Sequence, residues 1–190
     1  MKSSQEIYQL TKNKTRVVIG GDTRKISIAM VLHVLHYLDR KVDVILESNQ
    51  KVSLNEDNDF VVIEAQKNAH ELNANIVLLS VIAENDKSKA ERLIHTITNG
   101  GILVYTKEDE ILKKMVEENS KPIQKYPYQT PQHSIENEQV YLATNEGKLP
   151  LEIAQNNLQN LMGVKWICQH MGIDEDDFYE AIGSFVGETI

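Results

Sequence analysis

The chain has 190 residues, 41% hydrophobic and 25% charged, the composition of an ordinary globular domain long enough to bury a core. Its 20 Lys and Arg against 28 Asp and Glu leave a net charge of −8, which argues against non-specific affinity for nucleic acid or anionic membrane while leaving a local anion site open. The single cysteine, Cys168, rules out an internal disulfide, and no signal pattern or apolar run of membrane-spanning length occurs, so a cytoplasmic protein is expected.

Short β-branched runs alternate with amphipathic stretches through about the first 120 residues, the pattern of a parallel sheet with crossover helices. Thr15 to Ile19 (TRVVI) meets Gly20-Gly21-Asp22 and then a helical stretch in which Ile26, Ala29, Met30, His33 and Tyr37 share a face. Val42 to Leu46, Phe60 to Ile63, Ile76 to Ile82 and Ile102 to Tyr105 are further strands, nearly continuous in apolar character as buried parallel strands are. Ala90, Leu93, Ile94 and Ile97 mark a helix ended by Asn99-Gly100-Gly101, and Ile111, Leu112, Met115 and Val116 mark another.

Near Lys121 the texture changes, with Pro122, Pro127 and Pro131 close together and strand-like pieces at Gln139 to Thr144 and Lys148 to Ile153. The turn Asn145-Glu146-Gly147 between them predicts an antiparallel hairpin at the sheet edge. A long helix with Leu158, Leu161, Val164, Ile167 and Cys168 on one face follows, then Gly172, then a last helix carrying Phe178, Ala181, Ile182 and Phe185.

The strongest local chemical signal is GGDTRKIS, residues 20 to 27. A glycine turn between a buried strand and a helix presents backbone N–H groups and a positive dipole to phosphate, and Lys25 would neutralise it. A phosphate loop normally has glycine before that lysine and a hydroxyl residue after it, and here those positions hold Arg24 and Ile26; Ser27 reaches magnesium only in a shifted register. The alternative is an ordinary strand-to-helix turn with Arg24 and Lys25 in solvent.

Glu64 closes one strand and Asp86 follows the next, and the carboxyl ends of strands are where open α/β sheets place ligands. Two carboxylates there suit a hard divalent ion, or else a helix cap and a solvated loop residue. Asn156, Asn157 and Asn160 open the long helix, where paired amides can read an adenine edge or one of them can cap. The run Asp174-Glu175-Asp176-Asp177 is read as capping, the six histidines show no metal-ligand spacing, and Cys168 is read as a small core residue.

Several of these segments also fit a known pattern in order and spacing. TRVVIGGDTRKISIAMVLHVL resembles a strand, Gly-Thr-x-Gly-Lys-Thr loop and helix. FVVIEA resembles a strand ending in Glu-Ala-Asp-Glu, IVLLSVIAEND one leading to an Asp-His pair, and GGILVYTKEDEIL a Gly-Gly-x-Leu-Val segment with its later Asp. Residues 149 to 187 are similar to a Gly-x-His-Asn-x-x-Asn helix, a Leu-Gly-Ile turn and a closing Ser-Phe-x-Gly. The set resembles the ATP-binding central domain of the Mur ligases of peptidoglycan synthesis, and its wording is nearest the murein peptide ligase and UDP-N-acetylmuramate–alanine ligase branch.

The resemblance implies a three-layer, P-loop-type α/β fold with a mainly parallel sheet and a small antiparallel β segment, as a single domain over 15–187 after a lead-in at 1–14. It implies ATP and Mg2+ as cofactors, with Lys25 as the catalytic cation. Gly20, Gly21, Arg24, Lys25, Ser27, Asn157 and Asn160 would surround the nucleotide, and Glu64 and Asp86 the metal. In the family ATP phosphorylates a substrate carboxylate and an amine attacks the acyl phosphate. The departures cluster on the ligand side: Arg24 and Ile26 in the loop, Gln66-Lys67 for an acidic pair, Asn85-Asp86 for Asp-His, Asn156 for the histidine. The resemblance starts and stops with the central domain, so a UDP-muramoyl substrate is expected only with companion domains. The chain alone is expected to be inactive as a ligase, the alternative being a non-catalytic scaffold with an eroded nucleotide site.

Overall fold

A computed structural model describes residues 2–48, 50–65, 67–145 and 147–187. The run TRVVIG forms β1 (Thr15–Gly20), whose residues after Thr15 are all buried, so it sits in the middle of a sheet. Around it the order is β3-β2-β4-β1-β5-β6-β7, with β2 (Asp43–Leu46), β3 (Lys51–Ser53), β4 (Phe60–Glu64), β5 (Ile76–Leu79), β6 (Ile102–Thr106) and β7 (Gln124–Tyr128). All neighbours are parallel except β3, which runs against β2.

Alternation along β1 divides the core. Val17 and Ile19 face α2 (Arg24–Tyr37), α5 (Leu161–His170) and α6 (Glu175–Gly183), while Val18 faces α1 (Ser4–Thr11), α3 (Lys87–Thr96) and α4 (Glu110–Glu118). The expected three-layer, mainly parallel α/β fold is what forms. The stretch 1–14 carries α1, opened by a Ser3–Glu6 capping box, whose Ile7 is fully buried in the second core. No described helix is long and apolar enough to cross a membrane.

Four details differ from the sequence reading. The antiparallel piece, β8 (His133–Glu136), β9 (Gln139–Thr144) and β10 (Gly147–Leu151), is a sheet of its own. It does not extend the main sheet, because Val140, Leu142 and Leu151 bury against the α2, α5 and α6 core. The last position of the main sheet goes to β7, where Pro127 is tolerated at an edge. The carboxyl-terminal helix does not start at the asparagines: a 3-10 turn, Gln155–Asn160, precedes α5.

In α2 the buried residues extend through Ile26 to Val31, Val34 and Leu35. His33 instead turns toward α6, its Nε2 3.0 Å from the Ala181 carbonyl, and Tyr37 is 46% exposed with its hydroxyl donating to Glu180. The 145–147 turn was expected to join β9 and β10, and those strands do pair, but its Glu146 lies outside the described residues, as does Gln66.

Candidate functional site

The chain leaves β1 and reverses side at β4 and β5, so the crevice beyond their carboxyl ends is the topological switch point of the sheet. The glycine turn fills that crevice. Gly21 has φ +98°, and a Cβ there would lie 2.2 Å from the Ser80 hydroxyl, so only glycine lets the chain turn this close to β5.

The close approach occupies three of the turn's own donors. Asp22 N–H donates to the Val81 carbonyl (2.8 Å), Thr23 N–H to Ser80 Oγ (3.3 Å), and Arg24 N–H to the Gly21 carbonyl (3.4 Å). A phosphate cradle needs successive N–H groups turned outward; three of them here point into the protein.

Arg24 opens α2 at the place where a phosphate loop has glycine, and its side chain folds onto the end of β4. Nε donates to Glu64 Oε1 at 3.1 Å and Nη1 to the Gly21 carbonyl at 3.3 Å. Glu64 is 1% exposed, and its other oxygen accepts from Ser48 N–H at 2.8 Å. A buried carboxylate with both oxygens engaged and a guanidinium beside it has the partners that buried charge requires.

The other expected residues scatter. Ser27 is buried and donates to the Thr23 carbonyl (3.2 Å), one turn back along α2, with no contact to Glu64 among the described residues. Ile26 is core. Lys25 is exposed and makes no ion pair among the described residues. Glu64 and Asp86, expected as a metal pair, hold different cations: Asp86 accepts from Lys89 at 2.5 Å, and Arg24 takes Glu64. No group of three His, Cys, Asp or Glu among the described residues could hold a metal.

The asparagines part in the same way. Asn160 is 1% exposed and its Oδ1 accepts from Thr23 Oγ1 at 2.7 Å, which ties the start of α5 to the glycine turn. Its Nδ2 is buried without a partner among the described residues. Asn157 is half-buried and Asn156 exposed. In a 3-10 turn, positions three apart eclipse, so Asn157 and Asn160 share a face even though only Asn160 is committed inward. Asp174 caps α6 through Asp177 N–H (2.9 Å), as the acidic run predicted. Cys168 is a core residue whose thiol pKa burial pushes up.

Beside the turn, on the α3 side, opens a cleft of about 250 Å³. Gly20, Gly21, Ala65 and Leu79 line it together with Arg24, Lys67, His70, Lys89, Glu47 and Asp86. His70 carries no pattern in sequence, and Lys67 enters there only as part of Gln66-Lys67, in place of an acidic pair. They reach the cleft because the chain after β4 coils into a 3-10 turn, Ala69–Leu72, anchored by buried Ala69 and Leu72. Ser48 and Ser80, which fix Glu64 and the turn, also lack a sequence signal, since their partners are 16 and 57 to 60 residues away.

A scan of protein-family models and a search of curated proteins found no match. Solved structures do match. The UDP-N-acetylmuramate:L-alanyl-γ-D-glutamyl-meso-diaminopimelate ligase from Neisseria meningitides superposes with a TM-score of 0.75 at 14% identity, over 96% of this chain and 69% of that one. A murein peptide ligase from Psychrobacter arcticus gives 0.74 at 11% identity, over 97% and 50%. The folylpolyglutamate synthetase from Lactobacillus casei gives 0.62 at 10%, over 95% and 64%. At these identities the likeness is one of fold: the chain has the fold of the Mur ligase central domain and spans half to about two thirds of these proteins.

Proposed function

We propose that the chain is a catalytically silent counterpart of the ATP-binding domain of a muropeptide ligase, working in the cytoplasm as a binding or scaffold module. The observation that carries this reading is the Arg24–Glu64 pair. Where the fold's ligases would need a magnesium-binding carboxylate, this chain supplies the carboxylate and its counter-ion together, with Ser48 N–H on the remaining oxygen.

Magnesium does not fit these residues. A hard divalent ion takes six or so oxygen ligands, and around Glu64 it would meet a guanidinium, with the Ser27 hydroxyl bonded along its own helix. ATP fares little better at a turn with three inward N–H groups, so no phosphoryl step is derived through either group. Lys25 stands exposed and without an ion pair among the described residues, and residual nucleotide affinity would fall chiefly to it. A UDP-muramoyl substrate would need companion domains to hold it, and the net charge of −8 argues against nucleic acid or membrane as a partner.

Calorimetric titration of ATP, with and without magnesium, tests the reading. The expected result is no magnesium-dependent saturable binding, and no UDP-muramoyl-tripeptide by mass spectrometry when UDP-N-acetylmuramate and the tripeptide are added. Magnesium-dependent binding that disappears in Lys25→Ala would overturn it.

A further inference from the structure

The cleft beside the glycine turn has an apolar lining and unspent nitrogens. Ala65, Ala69, Leu79, Ile82, Ala90 and Leu93 supply the apolar part. Arg24 is fixed through Nε and Nη1, so its plane is set before any ligand arrives, while Nη2 has no partner among the described residues. Lys67 and His70, which line the same cleft, likewise form no ion pair or hydrogen bond among the described residues. Lys89 differs, being tied to Asp86.

We infer that this cleft binds a small organic anion, a carboxylate or a phosphate monoester, directly on Arg24, Lys67 and His70 and without a divalent cation. The inference rests on the reading above that Glu64 is committed to Arg24. A guanidinium held by a carboxylate on one edge offers its other edge to a second oxyanion, and such charge-assisted contacts are about twice as strong as neutral ones.

Two features limit the ligand. The volume, about 250 Å³, lies below the roughly 300–1,000 Å³ of drug-sized sites, which suits a body of amino-acid or monosaccharide size and not a nucleoside triphosphate. Glu47 on the rim is an exposed carboxylate without a partner among the described residues. It repels a second anionic group, so one oxyanion on an uncharged body is preferred to a polyphosphate.

The experiment is an NMR titration of the 15N-labelled full chain in chelator, with butyrate and n-butyl phosphate as probes and acetate and inorganic phosphate as their bodiless counterparts. Saturable shifts at Gly21, Ala65 and Ala90 are expected with at least one butyl probe, about fivefold tighter than its counterpart because the apolar lining is used. Whichever butyl probe saturates first tells carboxylate from phosphate. Lys67→Ala, at an exposed position that leaves the fold intact, should weaken binding about tenfold, and added magnesium should change it less than twofold. The inference fails if neither probe gives saturable shifts in the cleft, if Lys67→Ala binds equally, or if magnesium tightens binding. The two readings fail separately: a chain that binds neither these probes nor Mg-ATP sinks only this one, and magnesium-dependent ATP binding sinks the silent-domain reading.

Discussion

Arg16 enters β1 and Arg24 follows it, so one strand carries a guanidinium near each end of the sheet. At the amino end Arg16 is 5% exposed. Its Nη1 donates to the carbonyls of Thr11 (2.9 Å) and Lys14 (3.2 Å), and Nη2 and Nε donate to that of Asn73 (3.0 and 3.3 Å). The Tyr8 ring lies 5.2 Å away. Burial lowers the Arg16 pKa from its ordinary value, yet the group stays charged because carbonyls surround it. At the carboxyl end Arg24 spends two nitrogens, keeps one, and leaves 36% of its side chain in solvent. A saturated guanidinium ties α1, β1 and the 3-10 turn together. An unsaturated one, already balanced by a carboxylate, is placed to meet something else.

That contrast is broken first by removing each arginine. Arg16→Met removes four charge-assisted bonds, leaving the carbonyls of Lys14 and Asn73 without the guanidinium while that of Thr11 keeps Lys14 N–H at 3.0 Å; hydrogen bonds to charged groups are worth about 1.5–3 kcal/mol each before relaxation. A loss of about 3 kcal/mol in urea unfolding is expected, with the probe titration unchanged; a loss under about 1 kcal/mol would remove the distinction between the two ends. Arg24→Gln should cost less, about 1–2 kcal/mol, because the ion pair is partly solvated and Glu64 keeps Ser48 N–H. Adding Glu64→Gln should restore at least half of that. A double variant no more stable than Arg24→Gln would mean that the arginine acts through packing and not through the pair.

The same two ends differ in how far sequence reveals them. The strand β1 and its glycine turn, and the strands β4, β5 and β6, were legible because continuous apolar runs bounded by turn residues have few other uses. β3 was not, since Lys51, Val52 and Ser53 are all exposed and leave no burial pattern. β7 was hidden by QKYPY, whose proline argues against a strand until its edge position is known. At the site, Arg24 and Glu64 were each singled out, one as a departure from a phosphate loop and the other as a metal ligand. Their contact was not visible, because it joins residues 40 apart and depends on β4 lying next to β1. Asn160 and Thr23 are 137 apart, and their bond engages the Oδ1 that local spacing alone offered to a cap or a base.

The Asn160–Thr23 bond gives the comparison a finer test, because α5 spans the distance between an orphaned amide near the turn and an orphaned imidazole at its other end. Asn160→Ala and Thr23→Val, made singly and together, should show a coupling of about 1 kcal/mol, the net worth of one buried hydrogen bond. Ser27 and Ile26 are unaffected by either change, so a coupling near zero in urea unfolding would mean that the start of α5 is held to α2 by apolar contact alone.

The smallest effect concerns His170, the last residue of α5. Its ring lies 4.8 Å from Tyr126 and 6.1 Å from Trp166, and its Nε2 is buried with no partner among the described residues. Burial lowers its pKa from the ordinary 6.5, since protonation would add charge to an aromatic pocket with no acceptor for the new N–H. The unfolded chain therefore takes up a proton as pH falls through 6.5, while the folded chain resists until a lower pH. Between those two values the unfolded state binds more protons, so stability falls as the solution is acidified and the loss is complete at the folded pKa. His170→Phe keeps the ring stack and removes the titration. Its unfolding free energy should show a shallower decline than the parent between pH 7 and pH 5. Equal slopes would mean that Nε2 finds a proton acceptor in solution, and that this end of α5 is as well satisfied as Arg16.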